Sequence, residues 1–492
     1  MALKGHTKIE LTDVNTGKKE VYEDDNLVTN ALSSLLNSNY FGFESTDVNT
    51  NKTWMTRYPI IGNALGGVLL YQDSIEENKD TYFAENNTCI GYANQVVNDT
   101  EDVKRGSPNL TESGEIDNGY KFVWDFETSQ ANGTISSVCL TSNYGGYAEN
   151  GAGYNDQYVF YCPNNLANLG WNFNTLGYTN DEKLDYLYSN RGIVEVNPDE
   201  NYMVTINRKG ADTILIRKTF KPFNNIKFNH DYTTPDSFSE VLNETEISVT
   251  TSATYYEIAY DNDNAYVIDV ETMNGDTALT LQVTTIPKSD YTEHSTQTID
   301  VTDYSIRWKL NGYAYGLKVS EEIKIGRHVC TVRDGFLYLF GPQVGRDYSN
   351  IHIDTIYKVN LSNVADITAI TLPEVTKIWE FYQMFPTIFT IGDNVYIGSG
   401  SANSSQSKNM RIDYNDNATL LSYNFNTNHG YNAEIIKIDD IWYLMNLYYN
   451  SYNLEYKLIT RTPYLATINN LSEPVTKTAS KTMKITYTLT FE

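Results

Sequence analysis

Cysteine is scarce. The four in the chain, Cys89, Cys139, Cys162 and Cys330, stand far apart and form no Cys-x-x-Cys. A disulfide scaffold or a zinc ribbon needs close, paired cysteines, so both are excluded and the four read as buried free thiols. Positive charge is short as well. Lys and Arg number 36 against 62 Asp and Glu, a net charge of −26. Nucleic acid and anionic membranes are both held by a basic footprint, so neither is expected as a partner. Long apolar runs are missing. The longest, Pro59 to Tyr71, is interrupted by Gly62, Asn63, Gly66 and Gly67 and is too short to cross a bilayer. The opening Met1-Ala2-Leu3-Lys4-Gly5-His6 lacks the apolar stretch of a signal peptide. Sequons such as Asn98-Asp99-Thr100 and Asn109-Leu110-Thr111 arise by chance in a chain this rich in Asn and Thr.

Recognisable catalytic motifs are missing too. There is no His-Glu-x-x-His, no Gly-x-Ser-x-Gly, no P-loop and no complete dinucleotide fingerprint. The Gly-rich stretch Gly145 to Gly153 opens no helix and so makes no phosphate cradle. The histidines His6, His230, His294, His328, His352 and His429 are scattered without a zinc-like pair. Asp413, Asn415 and Asn417 occupy the first ligand positions of an EF-hand loop. That loop fails, because Ala418 replaces its glycine and Asn424 its terminal glutamate. Asp261 and Asp263 fail sooner, at Ala265. Turns held by Asx hydrogen bonds are the reading for both clusters, with a loop-built calcium site as the alternative. Carboxylates are too numerous to single out a glycosidase pair, whose separation of about 5–9.5 Å sequence does not reveal. The expectation is a chain that is not an enzyme, with no catalytic residue, metal or cofactor.

What is present is β patterning. The 492 residues allow roughly two to four domains. Tyr, at 40 against 18 Phe, is abundant enough to exclude disorder. Lys8 to Thr12 and Lys19 to Tyr22 alternate apolar and polar residues around Asn15-Thr16-Gly17, a hairpin with one buried face. Leu27, Ala31 and Leu35, with Val28, Leu32 and Leu36, then mark a helix behind an Asp/Asn cap. A weaker helical candidate covers Asn180 to Tyr188. Tyr120 to Phe126 and Gly133 to Thr141 read as strands, and Met483 to Phe491 alternates throughout.

The second half carries a loose repeat in which an Asp and a short variable step precede an aromatic-rich strand. It recurs at Asp199-Glu200-Asn201-Tyr202, Asp263-Asn264-Ala265-Tyr266, Asp334-Gly335-Phe336-Leu337-Tyr338, Asp393-Asn394-Val395-Tyr396 and Asp440-Ile441-Trp442-Tyr443. Small twisted sheets that cannot bury both faces alone do so by stacking around an axis, so the repeat points to a β-propeller with long loops. A run of ordinary hairpins in a β-sandwich fits the same spacing.

Four stretches resemble tail proteins of phages and prophages of Gram-positive bacteria. They are Gly5 to Gly17 with Asn26-Leu27-Val28-Thr29-Asn30-Ala31-Leu32; Asn63-Ala64-Leu65-Gly66-Gly67-Val68-Leu69-Leu70-Tyr71; Val123-Trp124-Asp125-Phe126 followed by Ala131-Asn132-Gly133-Thr134-Ile135; and Thr482 to Thr490. They cover the N-terminal third and the last strand. From about Gly192 to Leu471 only the repeat stands out. The resemblance implies a baseplate, tail-tip or fibre component of receptor-binding type, whose ends dock and whose middle faces outward.

The expected architecture is mainly β. Residues 1–190, completed by 474–492, form an attachment region with one short helix, and 191–473 form a β-propeller-like domain. The last strand returns to the first region. The helix residues Leu27, Ala31, Leu32 and Leu35 pack against the sheet or a neighbouring subunit. Receptor contact is placed on two loops, at Tyr448, Tyr449 and Tyr452 and at Arg346 and Tyr348, because rings stack on sugar faces and loops carry binding residues. The expected function is a tail structural protein contributing to recognition of a host-surface glycan. The alternatives are a purely structural baseplate or collar part and a tail-associated glycan depolymerase. The expected partners are other tail and baseplate proteins, a host glycan, and further copies of the chain, taken as a trimer. The expected location is the virion tail, after assembly in the host cytoplasm, without membrane insertion.

Overall fold

The computed structural model describes residues 3–37, 65–81, 84, 89–99, 102–142, 158–160, 192–197, 200, 202–220, 241–250, 253, 255–310, 313–314, 317–318, 329–347, 350–379, 387–398, 410–420, 432–438, 441–450, 453–461 and 464–491. It is mainly β, with 64% strand against 2% helix, as the scarcity of helical periodicity requires.

The opening hairpin pairs Leu3–Asp13 with Lys19–Val28. Asp13 fastens its turn, its Oδ1 accepting the amides of Asn15 at 3.0 Å and Thr16 at 2.8 Å. The amides of Thr16 and Asn15 and the Thr16 hydroxyl hold the Asp13 carboxyl below its ordinary range. The closing strand Lys481–Phe491 lies antiparallel along the whole opening strand, with Ile9 opposite Ile485 and Leu11 opposite Met483. Its other edge pairs with Gly119–Phe126, where Ile485 meets Trp124. The alternation of the last strand thus serves the first region. Met483, Ile485, Tyr487 and Leu489 enter a core with Ile9, Leu11, Trp124 and Phe126, while the threonines between them face outward.

Strands Gly67–Tyr71, Cys89–Ala93, Gly133–Thr141 and Thr467–Lys477 widen this into a ten-stranded, nearly closed sheet. Cys89, Cys139 and Cys330 are buried free thiols, as expected, and Cys162 lies outside the described residues. Burial pushes the Cys139 and Cys330 thiols well above their ordinary range, so neither is reactive.

The helix is shorter than its apolar spacing suggests and spans Asn30–Asn37. Leu27 and Val28 finish the preceding strand instead, opposite Ile468 and Thr467, because ladder hydrogen bonds are available there. Thr29 takes the capping position: its Oγ1 accepts the Leu32 amide at 3.3 Å and donates to the Leu465 carbonyl at 2.8 Å. Ala31 and Leu32 are buried in the sheet's core. The Leu35 side chain and the segment Asn180 to Tyr188 lie outside the described residues. Leu32→Asp should destabilise the chain by several kcal/mol, because its carboxylate would enter a site with no partner. Urea denaturation of the variant beside the parent measures this.

Between Gly133–Thr141 and Thr467–Lys477 the chain builds small antiparallel sheets. The first holds Ile193–Asn197, Tyr202–Arg208, Thr213–Phe220 and Val241–Ser248 in sequence order. The second runs through Tyr255–Tyr260, Asn264–Asn274, Thr277–Pro287 and Ser295–Asp300. The third holds Cys330–Arg333, Phe336–Phe340, Asn350–Asn360 and Ile367–Trp379, and the fourth Thr387–Ile391, Asn394–Gly398, Met410–Ile412 and Ala418–Leu420. These four stack as propeller-like blades: the leading strands of the second, third and fourth touch in turn, and the second meets the first at Tyr202–Arg208.

A further sheet, described in its backbone alone, holds Asn432–Ile438, Ile441–Asn450 and Asn453–Arg461. Its leading strand lies beside those of the fourth and first sheets. Its outermost strand is Tyr158–Phe160, drawn from before the first sheet. That pairing clasps the two ends of the arrangement together.

The sequence repeat marks the turn from leading to second strand. Asp263, Asp334 and Asp393 lie in these turns of the second, third and fourth sheets. Asp199 and Asp440 lie outside the described residues. At Asp334-Gly335 both residues have positive φ, +50 and +75, the two-residue turn whose twist matches a hairpin.

Candidate functional site

The repeated aromatic has a chemical role at the Asp-turn end of these sheets. Tyr202 donates its hydroxyl to Glu195 Oε1 at 2.6 Å, Tyr266 donates to Asp261 Oδ2 at 2.7 Å, and Tyr338 to Asp416 Oδ1 at 3.4 Å. Each ring sits on a second strand and reaches a carboxylate on a leading strand or in a turn.

Between the first and second sheets these groups gather into a half-buried seam. Tyr291 donates to the second oxygen of Glu195 at 2.5 Å, bridging the two sheets. Lys288 Nζ donates to the Asp261 carbonyl at 2.6 Å and lies 4.5 Å from the centre of the Tyr260 ring. Lys218 lies 3.5 Å from the centre of the Tyr202 ring. Burial and the bond to Glu195 push the Tyr202 phenol up to about 12, so it remains a donor. Burial pushes the Lys288 ammonium down to about 8, against the pull of Asp261, Glu195 and Asp263. The folded state therefore holds fewer protons than the unfolded chain between about pH 8 and 10.5, and stability should rise across that window. The rise should approach about 3 kcal/mol and be absent from Lys288→Met, read by urea denaturation at several pH values.

Asp261 also ties this seam to the third sheet. Its Oδ1 accepts the amides of Asp263 and Asn264 at 3.0 and 2.8 Å, and its Oδ2 that of Gly335 at 3.3 Å. Asp413 behaves likewise, its Oδ1 accepting the amides of Asn415 at 2.9 Å and Asn417 at 2.8 Å. Burial raises the Asp413 carboxyl, but the bonds from Asn417 and Asn415 outweigh it and hold the group low. Both clusters that resembled calcium loops are Asx turns. Among the described residues no three His, Cys, Asp or Glu stand close enough to hold a metal.

The seam between the third and fourth sheets is built on Arg333. Its guanidinium donates to the carbonyls of Asp393 at 3.0 Å and Asp413 at 2.9 Å, to the Tyr338 hydroxyl, and to Asp416 at 3.1 Å. Lys358 reaches the other oxygen of Asp416 at 2.6 Å. Deeper between the first and second sheets, Arg208 Nε stands 3.1 Å from Asp269 Oδ1, and neither side chain is exposed. Burial pushes the Asp269 carboxyl up to about 7, although Arg208 pulls the other way.

The receptor-contact residues fall elsewhere. Tyr448 and Tyr449 lie in the strand Ile441–Asn450, opposite Glu455 and Leu454, and not in a loop. The loop assignment is corrected for Tyr448 and Tyr449, because the ladder runs on to Asn450, opposite Asn453. Arg346 lies in the short strand Gly345–Asp347, opposite Ile351. Tyr452 and Tyr348 lie outside the described residues.

No family model and no curated protein matches the sequence. Solved structures are similar over about half of the chain. One is a chimera of ACO and RPE65, 12% identical, at a TM-score of 0.25, covering 50% of this chain and 51% of that one. Another is a tryptophan-to-alanine variant of Synechocystis apocarotenoid oxygenase, 13% identical, at 0.24, covering 50% and 52%. A third is cobalt-substituted Synechocystis ACO, 12% identical, at 0.24, with the same coverage of 50% and 52%. The chain spans about half the length of these structures. Because these neighbours are oxygenases, the expectation that the chain is not an enzyme is withdrawn. A likeness this shallow transfers no reaction and no metal to the chain.

Proposed function

We propose that the chain is a phage tail protein that contributes to recognition of a host-surface glycan. One observation carries this reading. The described residues of all four stretches that resemble tail proteins fall in or beside the ten-stranded sheet, although residues 136–481 separate the last stretch from the others. A sheet that gathers the resembling segments suits docking, and the sheets inserted into it suit presentation. The Tyr-rich, acidic composition suits sugar hydroxyls and ring faces. The neighbours in this reading are other tail and baseplate proteins and further copies of the chain, and the site of action is the virion.

Electron microscopy of virions carrying a label on this chain tests the location, and a pull-down on intact host cells tests the recognition. Label on the tail together with retention by cells is the expected result. Label on the tail without retention would favour a purely structural part. Release of reducing ends from host wall polysaccharide would favour a depolymerase. Absence of the chain from purified virions would overturn the reading.

A further inference from the structure

Among the tyrosines whose side chains are described, only two are exposed, Tyr120 at 38% and Tyr414 at 65%. Tyr120 leans on Phe122, their ring centres 4.6 Å apart. Tyr414 rests on a charge. The Arg333 guanidinium carbon lies 5.7 Å from the centre of its ring, at the Asp-turn end of the seam between the third and fourth sheets.

The support beneath this ring is fixed. Besides the bonds given above, Arg333 donates to the Ile412 carbonyl at 3.3 Å. The turn that carries Tyr414 is fastened at both ends. The Asp413 amide donates to the Asn417 carbonyl at 3.1 Å, and the Asp416 amide to the Asp413 carbonyl at 3.0 Å. Asn417 Nδ2 adds a bond to Asp413 Oδ2 at 3.0 Å. A ring set against a cation, on a backbone held this way, loses little conformational entropy when a ligand covers its other face.

Chemistry selects the ligand. A cation already lies at the ring, so a second cation on the opposite face meets repulsion. Asp334, Asp393, Asp413 and Asp416 stand in the turns at this end against Arg333 and Lys358, so an anion is disfavoured as well. A protein partner covers an aromatic anchor with a well-packed apolar surround, yet the residues on both sides of Tyr414 are polar. Asn415 and Asn417 are exposed, and the Asp416 side chain is 29% exposed. Each Asp416 oxygen accepts from Arg333 or Lys358 and keeps a second lone pair for a hydroxyl. An open aromatic face among neutral donors and acceptors matches a ligand with an apolar ring face and a rim of hydroxyls.

We propose that Tyr414 is the stacking platform for a neutral sugar ring. The proposal rests on the reading of the chain as a glycan-recognition protein and names the place where the glycan is held.

The test is saturation-transfer NMR of the full chain with the methyl glycosides of glucose, galactose, rhamnose and N-acetylglucosamine, and with that of glucuronic acid as the anionic control. At least one neutral glycoside should bind. Tyr414→Ala should weaken it about fivefold to tenfold, while Tyr414→Trp should retain it, because a ring remains to stack on. The thermal melt should not move, since the side chain is exposed. If Tyr414→Ala misfolds, Tyr414→Gln gives the same reading. Undiminished binding by a folded variant without the ring would overturn the proposal, as would binding of none of the neutral glycosides or a preference for the glucuronide. Retention by host cells that Tyr414→Ala leaves unchanged would strike this proposal alone, by placing recognition elsewhere on the chain. Absence of the chain from virions is a different failure, and it strikes the tail reading itself.

Discussion

Asp269→Ala should destabilise the chain by about 3–5 kcal/mol, the cost of leaving one member of a buried pair without its counter-charge. Arg208 and Asp269 are fully enclosed between the first and second small sheets. Removing the carboxylate leaves a guanidinium that water does not reach. The seam also carries Ile206, Ile258, Val267 and their neighbours, so the damage should spread through the contact between the two sheets. Arg208→Met combined with Asp269→Leu should recover most of the loss, because apolar side chains of similar volume need no partner there. Urea denaturation of the parent, the single variant and the double variant measures all three. Burial raises the folded carboxyl to about 7, so the comparison belongs at about pH 8, where both members of the pair are charged.

Deleting residues 479–492 should prevent the ten-stranded sheet from forming. The closing strand is internal to it, between Leu3–Asp13 and Gly119–Phe126. Its loss removes Met483, Ile485, Tyr487 and Leu489 from the core, at about 1.5–3 kcal/mol for each large apolar side chain. The sum matches the whole net stability of an ordinary domain, about 5–15 kcal/mol. Two strands would also be left with unpaired edges, which favour aggregation. The deleted chain should be insoluble or lose its sheet signal by circular dichroism. A peptide spanning Lys481–Phe491, added during refolding, should restore soluble chain by filling the gap between the two exposed edges.

The regularity of the closing strand made this arrangement legible in advance. Alternation over Met483 to Phe491 demands one buried face, and the opening hairpin offers a matching one. The Asp-and-aromatic repeat was legible for a similar reason: a tight turn needs Asp, Asn or Gly, and the strand after it needs side chains that fill the space between stacked sheets. The start of the helix was not. Leu27 and Val28 satisfy helical spacing, but a strand 439 or more positions later, Thr467–Lys477, offers them ladder partners, and the sequence carries no local sign of it. Tyr448 and Tyr449 were misplaced for the same reason. Their loop-like composition gives way to pairing with Asn453–Arg461.

The seams show the same division. The repeat placed Tyr202, Tyr266 and Tyr338 on equivalent strands, and that much follows from spacing along one chain. Their partners Glu195, Asp261 and Asp416 lie respectively on a leading strand, in a turn and in a turn of the next sheet, and no single spacing rule reaches all three. Arg208 and Asp269 are 61 positions apart in a chain rich in carboxylates, and only the stacking of two sheets makes them a pair. Periodicity is local physics, set by the pleat and the turn, so the sequence by itself determined the strands, the repeat and the mainly β class. Charge pairing, capping and burial depend on which distant segments the fold brings within about 3 Å, and the tertiary structure alone decided those.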